Sequence, residues 1–271
     1  MNPDYLCYLN GELLPYHKCR LHISDLQLQR GYGIFDYFRS RNGSIPWLDD
    51  YVDRLYNSIK LAKLETSLDQ GQFKAVIQEL QKKNKDEHGA FKVIVSGGYS
   101  ESLESVTGEA NFLILNVPWK RPAAETFEKG VQLLSMEYVR PSPEIKTLNY
   151  FNTMMMRHEM KKYDAVDLLY HTDTISEASR ANVFFVKKGQ LFTPSTKILY
   201  GITRKQVLSL LPDAHLKEIP YSQLYDFEEM FLSSTSRDIT PVVGVKGRKI
   251  GTGKPGPMTL QVMQAFRERG W

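Results

Sequence analysis

The chain has 271 residues, 42% of them hydrophobic, with 35 basic against 31 acidic residues for a net charge of +4. That length supports one large domain or two small ones without staples, and basic residues spread thinly rather than gathered into a stripe argue against a nucleic-acid partner. The longest apolar runs, such as FLILNVPW at 112–119, fall short of the roughly 18 residues a membrane span needs. The N-terminal MNPDYLCYLNGELL lacks the basic start, apolar stretch and cleavage site of an exported chain, so a cytoplasmic location is expected. Cys7 and Cys19 then read as reduced thiols.

Taken in order, YLCYL and the Asn10–Gly11 turn start a hairpin, and FDYFRSRNGSIPW gives two strand-like runs around Asn42–Gly43. Leu48, Val52, Leu55 and Ile59 recur at helical spacing behind Asp49 and Asp50, which predicts a helix with one apolar face. A second helix is expected over 70–84, with strands near 91–96 and 111–117. PWKRPAAE at 118–125, with two prolines and mixed charge, reads as a linker between an N-terminal domain at 1–117 and a C-terminal domain at 126–271. In the second domain we expect a strand at 130–139, a proline-bounded loop, a helix over 148–162, and strands at 166–170, 181–186 and 190–193. A helix from Thr203, strands at 229–233 and 238–245, and a last helix from about 257 complete it. Strands and helices mix without strict alternation, so the class is α+β, in two domains.

Several patterns do not carry chemistry. GTGKPG at 251–256 has Pro255 where a phosphate loop needs Ser or Thr, and HEMKK has Lys162 where a zinc helix needs its second histidine. His17, Cys19 and His22 match no standard metal spacing, so no metal is expected. SSTS at 233–236 lacks the glycines of a nucleophile elbow, and Met154, Met155 and Met156 read as core filling.

Lys146 in EIKTLNYFN is the only positive charge between Arg140 and Arg157. A lysine is costly to bury unless it is paired, shifted in pKa or covalently bound. Taken alone it reads as a snorkelling surface lysine at the head of a helix.

Joined to ISEASRANVFFVKKGQLFTP at 175–194, YGITRKQVL at 200–208, FLSSTSRDITPV at 231–242 and the glycine-rich DLQLQRGYGIFDYFR, the lysine stretch resembles the class IV pyridoxal-phosphate enzymes. This family holds branched-chain aminotransferases, D-amino acid aminotransferases and aminodeoxychorismate lyases. The resemblance runs from residue 5 to 267 in the family's order and spacing. It implies the fold-type IV architecture, a smaller N-terminal α/β domain and a larger barrel-like C-terminal domain. It also implies a homodimer in which a loop of a second subunit completes the site.

The resemblance assigns residues to the cofactor, pyridoxal 5'-phosphate. Lys146 matches the catalytic lysine that holds the cofactor aldehyde, and the same amine can move a proton at the substrate α-carbon. Glu177 matches the carboxylate that keeps the ring nitrogen protonated. Gly201, Ile202 and Thr203 match a phosphate-binding helix start, joined by Thr235 and by Arg54; Tyr150, one residue nearer the lysine than the tyrosine of branched-chain enzymes, is assigned as the phenol near the ring.

The sequence also departs from the pattern. Tyr32 and Asp36 replace the usual aspartate and glutamate of the glycine-rich stretch, which lines the substrate side. Gly97 in VSGG stands where D-amino acid enzymes carry an arginine. Ser236 and Arg237 replace a small pair after Thr235, so Tyr32, Ser236 and Arg237 are expected to touch substrate, with Arg237 supplying charge for a carboxylate.

The implied function is an aminotransferase acting between a small amino acid and a 2-oxo acid, branched-chain-like. A lyase that releases pyruvate and 4-aminobenzoate for folate synthesis is the alternative, suited by the K-x-L-N spacing. A non-catalytic cofactor-binding homologue is the third reading.

Overall fold

The computed structural model describes residues 4–106 and 108–269. Leu6–Leu9 (β1) and Glu12–Pro15 (β2) form the expected hairpin, registered from Leu6 opposite Pro15 to Leu9 opposite Glu12. Leu26–Arg30 (α1) is a single turn capped by the Asp25 carboxylate, which accepts from Gln27 N–H at 2.8 Å. Gly33–Arg39 (β3) follows, then Leu48–Leu61 (α2), Gln70–Asn84 (α3), Ala90–Ser96 (β4) and Phe112–Val117 (β5). Asp69 and Gln72 start α3 as a reciprocal capping box.

These strands make one antiparallel sheet in the order β2-β1-β5-β4-β3. The apolar face of α2 packs on β3, while α3 packs on β1 and β5. Between helices and sheet lies an aromatic core in which Phe38 stacks on Phe91 at 5.5 Å and meets Tyr51 at 5.4 Å. The expected second run in FDYFRSRNGSIPW is not a strand. Arg41 and Ser44 make one isolated bridge around the Asn42–Gly43 turn, and the chain then bends into α2.

The second unit begins with Ala124–Glu128 (α4) and Val131–Glu137 (β6). Phe151–Met155 (α5) and Arg157–Lys162 (α6) take the place of the single helix expected over 148–162, with the break at Met156. That helix starts late because residues 146–148 are held extended along β3. Met154 and Met155 are 55% and 56% exposed, so they do not fill a core; only Met156 packs against one, beside Leu134, Met160, Leu168 and Tyr170.

Ala165–His171 (β7), Thr174–Ala178 (β8), Asn182–Lys187 (β9) and Gln190–Thr193 (β10) come next, then Ile202–Leu210 (α7). His215–Leu216 (β11), Ile219–Pro220 (β12), Glu229–Ser234 (β13), Asp238–Val245 (β14), Arg248–Lys249 (β15) and Pro257–Glu268 (α8) complete the unit. The strand β8 was not expected: TISEA has three polar residues among its five and begins on the last residue of the turn-forming HTDT, so its pattern reads as loop.

Nine strands follow the order β11-β10-β9-β13-β14-β6-β7-β8-β12, with β15 on β14. Ala178 bridges Ala181 across the turn that joins β8, near one end of this order, to β9, near the other. The sheet therefore curls on itself, and Leu133, Leu169, Ile175, Val183, Phe185 and Leu232 share one buried cluster inside the curl. Strand alternation puts Phe184 and Phe231 on the opposite face, where they stack at 4.9 Å; α7 packs on β13, and α8 on β13 and β14. Glu229 caps α8, accepting from the Thr259 backbone N–H and from its hydroxyl, both at 2.7 Å.

By contacts, the first unit holds the chain up to Lys120 together with Ile145–Asn149, and the second holds Arg121–Glu144 and Tyr150 onward. The lysine segment thus groups with the first unit, where the sequence placed it in the second domain. The reason is backbone pairing along β3. Among the described residues, no helix is long and apolar enough to cross a membrane.

Candidate functional site

In the first unit, β3 pairs with β4 on one side only, so its other edge has donors and acceptors to satisfy. Residues 146–148 satisfy it. Phe35 N–H donates to the Lys146 carbonyl at 2.9 Å, Leu148 N–H donates to the Gly33 carbonyl at 3.1 Å, and Ile34 bridges Thr147. The half-buried Lys146 is thereby fixed at its backbone, while its Nζ lies 4.5 Å from the centre of the Phe35 ring.

Arg54, on α2, is held by Asp36 of β3. Its Nε and Nη2 reach the two carboxylate oxygens at 2.9 and 2.6 Å, and the carboxylate is fully buried. This fork fixes the guanidinium through one edge and leaves the Nη1 edge outside the pair. Sequence reasoning treated Asp36 only as a replaced glutamate; its place two strand residues from Ile34 is what sets it under α2.

Tyr32 and Gly97 turn out to be one feature. The Tyr32 hydroxyl donates to the Ala62 carbonyl at 2.6 Å, and burial raises the pKa of the phenol. A Cβ added at Gly97 would stand 2.3 Å from the Tyr32 ring and 3.0 Å from Leu26 Cβ. The tyrosine ring therefore occupies the space into which a side chain at position 97 would extend.

In the second unit, Glu177 is buried on β8 with both oxygens engaged. Arg140 Nε donates to Oε1 at 2.7 Å, and Leu199 N–H donates to Oε2 at 2.9 Å. Arg140 is anchored in turn through Nη2 to the Pro143 carbonyl at 2.5 Å. Tyr150 lies in the field of this cluster: burial raises its pKa, and Arg140, Asp167, Glu177 and Arg180 all act on it. Its phenol is therefore neutral at physiological pH.

Gly201 caps α7 without any side-chain acceptor, so the N–H groups of the first turn, those of Ile202 and Thr203 among them, have no intrahelical partner. A Cβ at Gly201 would stand 2.1 Å from Asn182 Oδ1, so only glycine admits the close approach. Asn182 also donates to the Leu199 carbonyl at 2.7 Å. Asn182 opens β9 opposite Ser233 of β13, and the turn from Thr235 to Arg237 leads from β13 into β14. One end of the sheet thus gathers the α7 N-terminus and this turn. Ser233 adds a buried hydroxyl with no hydrogen-bond partner among the described residues, on the face that α7 covers.

Of the expected residues, Lys146, Arg54 and Tyr32 lie in the first unit; Tyr150, Glu177, Gly201, Ile202, Thr203, Thr235, Ser236 and Arg237 lie in the second. Sequence reasoning missed Asp36, Arg140 and Ser233. The first two announce themselves only through the charge each compensates.

The family model for amino-transferase class IV matches residues 33–245. The chain is 28% identical to the D-alanine aminotransferase of Bacillus licheniformis over 273 residues, covering 95% of this chain and 94% of that protein. It is 27% identical to the branched-chain-amino-acid aminotransferase of Escherichia coli K12, covering 97% and 92%. The crystal structure of an Escherichia coli branched-chain aminotransferase superimposes with a TM-score of 0.90 at 24% identity, covering 98% of this chain and 94% of that one. The branched-chain amino acid aminotransferase of Thermobaculum terrenum, solved in its PLP-form, gives 0.87 at 21%, covering 99% and 94%. The chain belongs to the class IV aminotransferases and is an enzyme of that class.

Proposed function

We propose that the protein binds pyridoxal 5'-phosphate and moves an amino group from a small, branched-chain-like amino acid to a 2-oxo acid. The observation that carries the cofactor is the α7 end of the second unit. An uncapped helix start, a glycine with no room for a Cβ and a buried Ser233 hydroxyl without a hydrogen-bond partner among the described residues together suit a phosphate. Thr203 and Thr235 would add hydroxyls there; the charge is assigned to Arg54 by the family resemblance alone. Glu177, its own charge compensated by Arg140, suits a protonated ring nitrogen. When bound, the cofactor supplies an aldehyde for the substrate amine and an electron-withdrawing ring. Lys146 Nζ is the amine that would hold that aldehyde and carry the proton at the substrate α-carbon. Tyr150, kept protonated by burial, would donate a hydrogen bond toward the ring oxygen.

The relatives carry both the D-alanine and the branched-chain name; the branched-chain preference is supported by position 97, where Tyr32 leaves no room for the arginine of D-amino acid enzymes. The relatives above are aminotransferases, and the reading follows them rather than the lyase. The deciding experiment is the absorption spectrum of the purified holoenzyme, titrated with L-leucine, L-glutamate and D-alanine. A cofactor band that bleaches with L-leucine or L-glutamate is expected. A band that no amino acid changes would defeat the transfer reading, and release of 4-aminobenzoate from aminodeoxychorismate would replace it with the lyase.

The same proposal includes a second copy of this chain as partner and the cytoplasm as location. The unbonded Cys7 and Cys19 suit a reducing compartment. Two segments of the first unit, joined where Ser100 N–H donates to the Ser24 carbonyl at 3.1 Å, expose Ile23 (70%), Leu28 (69%) and Val106 (53%) together with Tyr99. An apolar patch of this kind favours association. Light scattering should give a dimer for the wild type and a monomer for Ile23→Asp/Leu28→Asp; a monomeric wild type would contradict the proposal.

A further inference from the structure

We propose that Arg180 and Arg237 form one carboxylate-receiving pair, hinged on Asp167, that takes the carboxylate of the amino-acid or 2-oxo-acid substrate. The assignment rests on the cofactor reading above and adds Arg180 and Asp167 to it.

Asp167, on β7, is fully buried. Its Oδ1 accepts from Leu168 N–H at 2.9 Å and from the Ser179 hydroxyl. Its Oδ2 faces two guanidinium groups at once, with Arg180 Nε at 3.3 Å and Arg237 Nη1 at 3.6 Å. Both arginines also converge on the Val166 carbonyl, Arg180 through Nη2 at 2.6 Å and Arg237 through Nη1 and Nη2 at 3.5 Å each. Two positive charges around one carboxylate leave a local charge of +1. Neither guanidinium meets Asp167 through the two parallel N–H bonds that satisfy an arginine. Among the described residues, the Arg237 guanidinium makes no polar contact shorter than 3.5 Å, although its side chain is only 24% exposed.

Such an arrangement is unfavourable by itself. Burial holds the Arg237 pKa below its usual range, and the neighbouring Arg180 lowers it further against the opposing pull of Asp167. A second carboxylate between the two guanidinium groups would relieve both the desolvation and the repulsion. The position suits a substrate group. Arg180 lies in the β8–β9 turn three residues after Glu177, and Arg237 lies in the β13–β14 turn two residues after Thr235. Pairing of β9 with β13 from Asn182 opposite Ser233 brings these turns to one end of the sheet. Tyr150 lies in the field of both Arg180 and Asp167 as well as of Glu177, so the pair adjoins the residues assigned to the ring.

In this arrangement Asp167 is a positioning residue and the arginines bind. The test is equilibrium binding of 4-methylvalerate, an unreactive branched carboxylate, and of its uncharged amide to the holoenzyme, followed through the cofactor absorbance. Arg180→Ala and Arg237→Ala should each weaken the acid by about tenfold or more, as removal of a charge-assisted hydrogen bond does, and leave the amide unchanged. Arg237→Lys should recover part of the loss, and KM for the 2-oxo acid should rise more than kcat falls. A purely structural latch would lower the melting temperature and leave the acid-to-amide preference as in the wild type; that result in both variants overturns the proposal. If Arg237→Ala does not fold, Arg180→Ala decides alone, because its side chain is 41% exposed on a turn. A cofactor band retained in the variants confines any failure to this assignment, whereas a wild type without the band overturns the cofactor reading and this ligand with it.

Discussion

Lys146→Ala is expected to lower turnover by about 10²- to 10⁴-fold, the range over which a positioned proton-transfer group acts, and to remove the lysine-dependent part of the cofactor spectrum. The fold should persist. The pairing that fixes this segment runs through the Phe35 N–H, the Lys146 carbonyl and the Leu148 N–H, none of which involves the side chain. Truncation removes the approach of Nζ to the Phe35 ring at 4.5 Å, an interaction for which about 0.5–1 kcal/mol is usual at exposed sites. Lys146→Arg separates charge from chemistry. Arginine keeps the positive charge and can stack on Phe35, but its guanidinium stays protonated and is no nucleophile. It should be as inactive as the alanine variant. Circular dichroism melts beside turnover numbers check both statements, and an arginine variant with near-wild-type turnover would remove Lys146 from the catalytic role.

What was legible in the sequence divides along a physical line. Short-range signals were readable: the helix of Leu48–Leu61 from its apolar spacing, and the α7 start from Gly201 and Thr203. Lys146 and Glu177 could be proposed from the sequence because motifs single them out by local spacing. Long-range compensation was not. Arg140 meets Glu177 across 37 positions, and Asp36 meets Arg54 across 18, through a curled sheet in one case and a helix laid over a strand in the other. Neither pairing leaves a periodic trace. The helix expected over 148–162 failed for a related reason. Its expected first residue, Leu148, is held with Lys146 and Thr147 along the edge of β3, a tertiary demand that local propensity does not register. The exposed Met154 and Met155 show the converse, apolar residues whose burial cannot be inferred from type alone.

Glu177 offers the second large effect, and it separates stability from chemistry. Its side chain and that of Arg140 are only 5% and 13% exposed. Glu177→Ala leaves the arginine buried without its carboxylate and takes the acceptor from Leu199 N–H, and breaking one side of a buried pair costs about 3–5 kcal/mol. Glu177→Gln keeps an acceptor for Leu199 and the volume of the side chain, so it should be less destabilised in a denaturant titration. Both changes should cut turnover, because neither an amide nor a methyl group can keep the ring nitrogen protonated. The double variant Arg140→Met/Glu177→Leu decides between the two origins of the loss. Replacing a buried ion pair with apolar side chains of similar size is often neutral for stability, so the double variant should recover most of the stability lost in Glu177→Ala and none of the turnover. Recovery of turnover together with stability would mean that Glu177 serves only to compensate Arg140, and the carboxylate assigned to the ring nitrogen would have to be sought elsewhere in the second unit.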